Sequence, residues 1–356
     1  MSALKFSGPV LPDGGSRDLY VVDGRVTFEP QPGAETAARG WIVPGLVDAH
    51  NHLGMEDHGA VGDDEVEGQA LADRDAGALL LRDCGSPADT RWVHERDDLP
   101  RLVRAGRHIA RTRRYIRSYA HEVEPAELSA YVAQEAQAGD GWVKLVGDWI
   151  SRDAGDLAPS FPQESFAEAI EVAHRHGAKV TAHCFGHDVL QGLLDAGIDC
   201  IEHGTGLALE QVEQMAAAGV ALVPTVMQTD KFPGFAAQGR GKFPAYAATM
   251  DQLHARRREV LMSAHEAGVP LYVGSDGGGA QRHGHLAGEV LAMAQLGMPA
   301  ADVLAAASWK AREWLGFDGL VEGAGADFVV YDRDPAQDLT ALWEPACVVL
   351  RGRVVA

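Results

Sequence analysis

The sequence predicts an α/β fold on three observations. From Val43 onward, short apolar runs bounded by Gly or Asp alternate with longer segments of helical periodicity, the rhythm of successive β/α units feeding a parallel sheet. Eight such runs can be counted. The chain has 356 residues, enough for one barrel of about 250 residues and a small appendage. Together these predict a TIM-type (β/α)8 barrel with a small β-sandwich formed by the N- and C-terminal segments.

In chain order, the first 40 residues carry a short alternating stretch, LYVVDGRVTF, with a turn signal at Asp23-Gly24. The eight runs are IVPGLVDAH, ALLLRDCG, RLVRAGR, WVKLVGD, KVTAHC, DCIEHG, ALVPTV and LYVGSD, near residues 42–50, 78–85, 101–107, 142–148, 179–184, 199–204, 221–226 and 271–276. Between them, Glu164 to His176, Asp188 to Ala196, Leu209 to Ala218 and Tyr246 to Ala267 repeat apolar residues at three- and four-residue spacing, as amphipathic helices do. Gly177, Gly197, Gly219 and Gly268 follow as helix-ending residues. The last 40 residues return to strand-like alternation in ADFVVYD and ACVVLRGRVVA, with a turn at Arg351-Gly352. The expected organisation is a composite β domain of residues 1–43 plus 318–356 beside a barrel domain of residues 44–317.

Composition narrows the class. With 46% hydrophobic and 23% charged residues and 41 glycines, the chain reads as a loop-rich globular enzyme, not a fibrous or disordered protein. No apolar run approaches membrane-spanning length, and Met1 to Leu11 lacks the pattern of a secretory signal, so a cytoplasmic setting is expected. Cys84, Cys184, Cys200 and Cys347 have no paired close spacing and read as buried free thiols. A formal net charge of −20 opposes nucleic-acid and anionic-membrane binding, and the basic stretch Arg101 to Arg117 reads as solvated surface with structural ion pairs. The expected partner is a small-molecule substrate. Homo-oligomerisation is compatible with such a barrel, although the sequence displays no interface.

The chemistry begins at Asp48-Ala49-His50-Asn51-His52, directly after an apolar strand. Side chains two apart on an extended backbone point to the same side, so His50 and His52 can share one metal ion. A lone His-x-His is as often structural as ligating. His183 in VTAHC and His203 in CIEHG also end predicted strands, however, and Asp276 ends the last one. A barrel delivers these ends to one face, where four histidines and an aspartate converge. Lys144, mid-strand in WVKLVG, would pay a large desolvation cost as a bare ammonium. It requires either a carboxylate partner such as Asp148 or conversion of its neutral amine to a carbamate, an anionic ligand able to bridge two cations.

The ordered set VPGLVDAHNHLG, LLLRDCGSP, VKLVGD, VTAHCFG, GIDCIEHGTGL, VGSDGGG, HGHLAGEV and GAGADFVVYDRDP spans nearly the whole chain. In it the chain resembles the amidohydrolase superfamily, in the branch containing imidazolonepropionase-like proteins and metal-dependent Xaa-Pro or Xaa-Arg dipeptidases. The resemblance implies that His50, His52 and Asp276 bind one divalent metal ion, that His183 and His203 bind a second, and that an N6-carboxylated Lys144 bridges them. It further implies zinc, one or two ions per chain, with Asp276 as general base. Substrate contacts would fall to His121, Gln228 and His283. Here the chain departs from the pattern: Ser118-Tyr119-Ala120 replaces the glycine-rich surroundings expected before His121, and Met227-Gln228 stands where dipeptidase relatives often carry a tyrosine.

Arg82 and Asp83 are expected to form a charge pair under the site, and Asp57, His58, Asp63 and Asp64 to sit on a long first loop acting as rim or lid. The function expected is metal-dependent hydrolysis of a C–N bond in a cyclic amide, N-acyl amino acid or dipeptide-like substrate. Lactone or phosphoester hydrolysis at the same site is the nearest alternative. Deamination fits poorly, because Cys184-Phe185-Gly186-His187 lacks the acidic residue that deaminase relatives use. A non-catalytic binding barrel is the alternative from another class.

Overall fold

The computed structural model describes residues 3–356, and the two chain ends do meet in one sheet. Leu4–Val10 pairs antiparallel with Gly15–Val22, which pairs with Arg25–Thr27. On its other side Leu4–Val10 runs parallel to Glu35–Arg39 and touches Trp41–Pro44, which pairs antiparallel with Phe328–Tyr331 and so leads on to Cys347–Leu350 and Arg353–Val354. The alternation that predicted these strands puts Phe6, Leu19, Val21, Ile42, Phe328 and Val349 into one shared apolar cluster. Phe6 meets Phe328 edge-to-face at 4.8 Å. Both predicted turns are present with positive φ at each central residue: Asp23 at 48° and Gly24 at 77°, Arg351 at 47° and Gly352 at 77°. The two turns lie against each other, since a Cβ on Gly352 would fall 2.4 Å from Gly24 Cα.

The first predicted run, 42–50, is in fact two strands. Trp41–Pro44 belongs to the terminal sheet and Leu46–Asn51 to the parallel strands, with Gly45 between them, where a Cβ would come within 2.8 Å of Leu79.

The parallel strands form two runs. Leu46–Asn51, Ala78–Asp83 and Arg101–Arg104 make the first. His121–Val123, Ile109–Arg111, Trp142–Val146, Lys179–Cys184, Cys200–His203 and Ala221–Val223 make the second, each neighbour pair parallel. The third predicted strand, 101–107, is therefore interrupted after Arg104 and resumes at Ile109. The last predicted strand, 271–276, is not a regular strand. It is bridged instead, Leu271 to Leu222 on one side, while Ala49 N donates to Val273 O and Asp276 N to His50 O, both at 2.8 Å, on the other.

Helices cover these strands much as their periodicity predicts. They run Gln163–Arg175, Leu190–Asp195, Leu209–Ala218 and Pro244–Glu266. The first buries Phe166, Ala169, Ile170 and Ala173, one face at i, i+3, i+4 and i+7. Each large apolar side chain so buried contributes about 1.5–3 kcal/mol. Gly219 closes Leu209–Ala218 at φ 70°, the left-handed cap that glycine adopts without a Cβ clash.

All four cysteines are free and buried. In the basic stretch, Arg101 pairs with Asp327, Arg104 with Asp140 and Arg111 with Glu124, so much of it is tied into structural ion pairs. Among the described residues no helix is long and apolar enough to cross a membrane.

Candidate metal centre and its cavity

Leu46–Asn51 ends in extended backbone, so His50 and His52 emerge on one side. Their Nε2 atoms stand 3.1 Å apart, and each lies 3.1 Å from Asp276 Oδ1. The outer nitrogens are already engaged. His52 Nδ1 donates to Gly85 O at 2.7 Å and His50 Nδ1 faces Glu202 Oε2 at 2.6 Å. Both Nε2 lone pairs are thereby turned inward onto a carboxylate oxygen. Three acceptors crowded into one triangle repel one another unless a cation lies among them, and edges of 3.1 Å suit ligands sharing an ion at about 2.0–2.1 Å. Burial pulls His52 below its ordinary pKa. Against the upward push of burial, His50 and His52 hold Asp276 well below the usual carboxylate range. A neutral imidazole and an ionised carboxylate are the forms that bind metal; His50, which against burial and Lys144 is left above its ordinary pKa by Glu202 and Asp276, would release its proton on binding.

The next two strands supply a second pair. His183 Nδ1 faces His203 Nε2 at 2.9 Å, and His203 Nδ1 lies 2.6 Å from Thr225 Oγ1. Burial drives His183 well below its ordinary pKa and pushes His203 down to about 3. The His50 and His203 rings, 5.2 Å apart, place the two pairs side by side. His203, Thr225 and Asp276 all hold positive φ, at 66°, 43° and 55°. Non-glycine residues pay for that conformation in strain, which concentrates at functional sites.

Lys144 sits in the middle of Trp142–Val146, opposite Thr181, with 1% of its surface exposed. It lines the same cavity as the histidines and Asp276. Asp148, the partner weighed for it, instead accepts from the Phe185 and Gly186 amides at 3.0 and 2.5 Å. The residue that sequence reasoning passed over is Glu202. Its Oε2 faces His50, and its Oε1 takes Arg82 Nη1 at 2.9 Å and the Thr181 hydroxyl. The expected Arg82–Asp83 pair is thus corrected to Arg82–Glu202. Asp83, turned away, accepts from Gly85 N at 2.9 Å, and burial pushes its carboxyl up to about 8.

The cavity over these groups has a volume of about 400 Å³. Of the three residues expected to contact substrate, Gln228 lines it; His121 and His283 do not. His121 Nε2 pairs with Glu135 Oε1 at 2.9 Å, and His283 Nδ1 with Asp73 Oδ2 at 2.8 Å. The buried histidine of that region is His108, whose ring stacks on His52 at 4.9 Å. The first loop is a small hairpin, Met55–Glu56 with Gly59–Ala60; Asp57 lines the cavity from it. Asp63 and Asp64 open the helix Asp63–Asp75, where acidic side chains suit the helix dipole, and so are not part of a lid. Tyr115, Tyr119, Trp149, Phe185 and Tyr246 complete an aromatic lining that no strand-end motif announced.

Residues 41–355 match the profile described as "Amidohydrolase family". The chain belongs to the amidohydrolase family. It is accordingly a hydrolase acting on carbon–nitrogen bonds. A protein of Mycobacterium tuberculosis, described as uncharacterized, is 51% identical over 352 residues, covering 98% of this chain and 95% of its own length. Among solved structures, a Xaa-Pro dipeptidase with methionine bound in its active site superimposes with a TM-score of 0.82 at 21% identity, covering 99% of both chains. A prolidase complexed with N-methylphosphonate-L-proline does so at 0.81 and 22%, again over 99% of both. The superfamily expected from the ordered motifs is that of the matched profile, and the solved structures share its fold.

Proposed function

We propose that this amidohydrolase cleaves the C–N bond of a cyclic amide, N-acyl or dipeptide-like substrate at the histidine–aspartate centre. The observation that carries the reading is the triangle of His50 Nε2, His52 Nε2 and Asp276 Oδ1, each 3.1 Å from the others with outer nitrogens already bonded. His50, His52 and Asp276 would hold one divalent ion, zinc by donor type, and His183 and His203 a second, with Lys144 as an N6-carboxylated bridge. When bound, such ions supply a water acidified toward neutrality and polarise the scissile carbonyl.

The chain's own groups then act as follows. Asp276 Oδ2 accepts the proton of the attacking water and returns it to the leaving nitrogen. Glu202 fixes the tautomer and orientation of His50, Gly85 O those of His52 and Thr225 those of His203. Aromatic side chains wall the cavity over the reacting centre.

We further read the two parallel runs as arcs of one eight-stranded barrel, supported by the bonds that tie residues 271–277 to both Ala221–Val223 and Leu46–Asn51. The terminal sheet is read as a small sandwich of residues 1–43 and 318–356, supported by its separate apolar cluster. Four buried free thiols favour a reducing, cytoplasmic setting.

The test is hydrolysis of a panel of N-acyl amino acids, dipeptides, cyclic imides and aryl amides by native, chelator-stripped and zinc-restored protein. Turnover of a panel member that is lost on stripping and returns with zinc is expected. Fully metal-loaded protein that cleaves none of them would sink the reading.

A further inference from the structure

We propose that the substrate of this site is an uncharged aromatic amide, its ring seated against Tyr115, Trp149 and Phe185, with no free carboxylate. The inference rests on the hydrolytic reading and narrows it.

The wall beside the second histidine pair is aromatic. Phe185 lies 4.2 Å and Trp149 5.3 Å from the His183 ring, and Tyr115 meets Trp149 edge-to-face at 4.8 Å. A planar apolar group entering here gains offset and edge contacts with these rings while its reacting bond reaches His183 and His203.

The charges exclude an anionic end. Among the described residues lining the cavity, only Asp57, Asp276 and Lys144 carry formal charge besides the histidines, and none is an arginine. Of the nearby cations, Arg114 Nη2 donates to Trp149 O and Ala158 O at 3.0 and 2.7 Å and Lys231 Nζ to Ala280 O at 3.0 Å, and neither residue lines the cavity. A dipeptide carboxylate would be desolvated in a cavity that Asp57 lines and no arginine does.

The experiment compares acetanilide, 4-acetamidobenzamide and 4-acetamidobenzoate, with the dipeptide Phe-Pro as reference. It uses kcat/KM on zinc-loaded protein and calorimetric binding to chelator-treated protein. The two neutral anilides are expected to exceed 4-acetamidobenzoate by roughly 100-fold in kcat/KM, chiefly through KM. Trp149→Ala should weaken acetanilide binding by about tenfold, with Trp149→Phe restoring most of it. Equal or better use of 4-acetamidobenzoate or Phe-Pro overturns the proposal while leaving the hydrolytic reading intact. Acetanilide binding that depends on Trp149, without hydrolysis of any compound, removes the hydrolytic reading and the substrate assignment with it, and leaves only the seating of an aromatic ring at Trp149.

Discussion

Glu202 Oε2 lies 2.6 Å from His50 Nδ1, and neither residue has more than 1% of its side chain exposed. The same carboxylate receives Arg82 Nη1 at 2.9 Å, and the Arg82 guanidinium lies 4.0 Å from the Trp142 ring. One buried acid therefore ties a candidate metal ligand to a cation–aromatic stack deeper among the strands. Against the upward push of burial, Arg82 and His50 hold Glu202 well below its ordinary pKa.

Glu202→Ala should destabilise the fold by about 3–5 kcal/mol in urea titration, because it strands the Arg82 charge in the core. Glu202→Gln, closer in shape, should fold and bind zinc roughly 10- to 100-fold more weakly, since an amide orients His50 poorly. Unchanged zinc affinity in the Gln variant would remove Glu202 from its positioning role.

Thr225 offers a smaller version of the same relationship. Thr225→Val keeps the shape but deprives His203 Nδ1 of its 2.6 Å partner, a loss of about 1–3 kcal/mol for a buried polar group. Thr225→Ser should retain the native Tm and metal content. Equal behaviour of Val and Ser would show that the hydroxyl contributes nothing.

Lys144→Ala should lower the metal content by roughly one ion per chain in elemental analysis, from about two, if its carbamate bridges the pairs. Added formate or acetate, which can fill the vacated volume with a carboxylate, should restore that ion. Lys144→Arg, which cannot form a carbamate, should stay deficient. A metal count indifferent to all three conditions disproves the bridge.

The His283–Asp73 pair gives a pH signature. Burial lowers the His283 pKa, but Asp73 at 2.8 Å outweighs it and leaves the folded value above 6.5. A raised folded pKa means that the native state holds this proton more tightly than the unfolded chain does. The stabilisation is complete below pH 6.5 and disappears as pH rises through the folded value. Wild type should therefore exceed His283→Gln in unfolding free energy most at about pH 5.5 and least at about pH 8.5. A gap that widens with pH contradicts the assignment.

The cluster of candidate metal ligands was legible because it depends only on local periodicities. A two-residue strand period puts His50 and His52 on one side, and parallel β/α units deliver His183, His203 and Asp276 to the same end, so spacing alone assembles them. The terminal sheet was legible for a similar reason: alternation and two residue pairs with positive φ specify hairpins locally.

What lies between the strands was decided only by tertiary contacts. Glu135 shows how. It accepts His121 Nε2 and the Arg107 amide, and stands so close to Gly106 that a Cβ there would fall 2.3 Å from its Oε2. This interrupts the third strand and pins His121 outside the cavity, while His108 stacks on His52 instead. Arg82 and Glu202 are 120 positions apart, and Trp149 and Tyr115 come from separate connections. The sequence by itself determined which residues end the strands, because backbone geometry imposes those periods. Which charges pair and which rings wall the cavity depended on the folded chain, because desolvation, partner geometry and packing are set by neighbours remote in sequence.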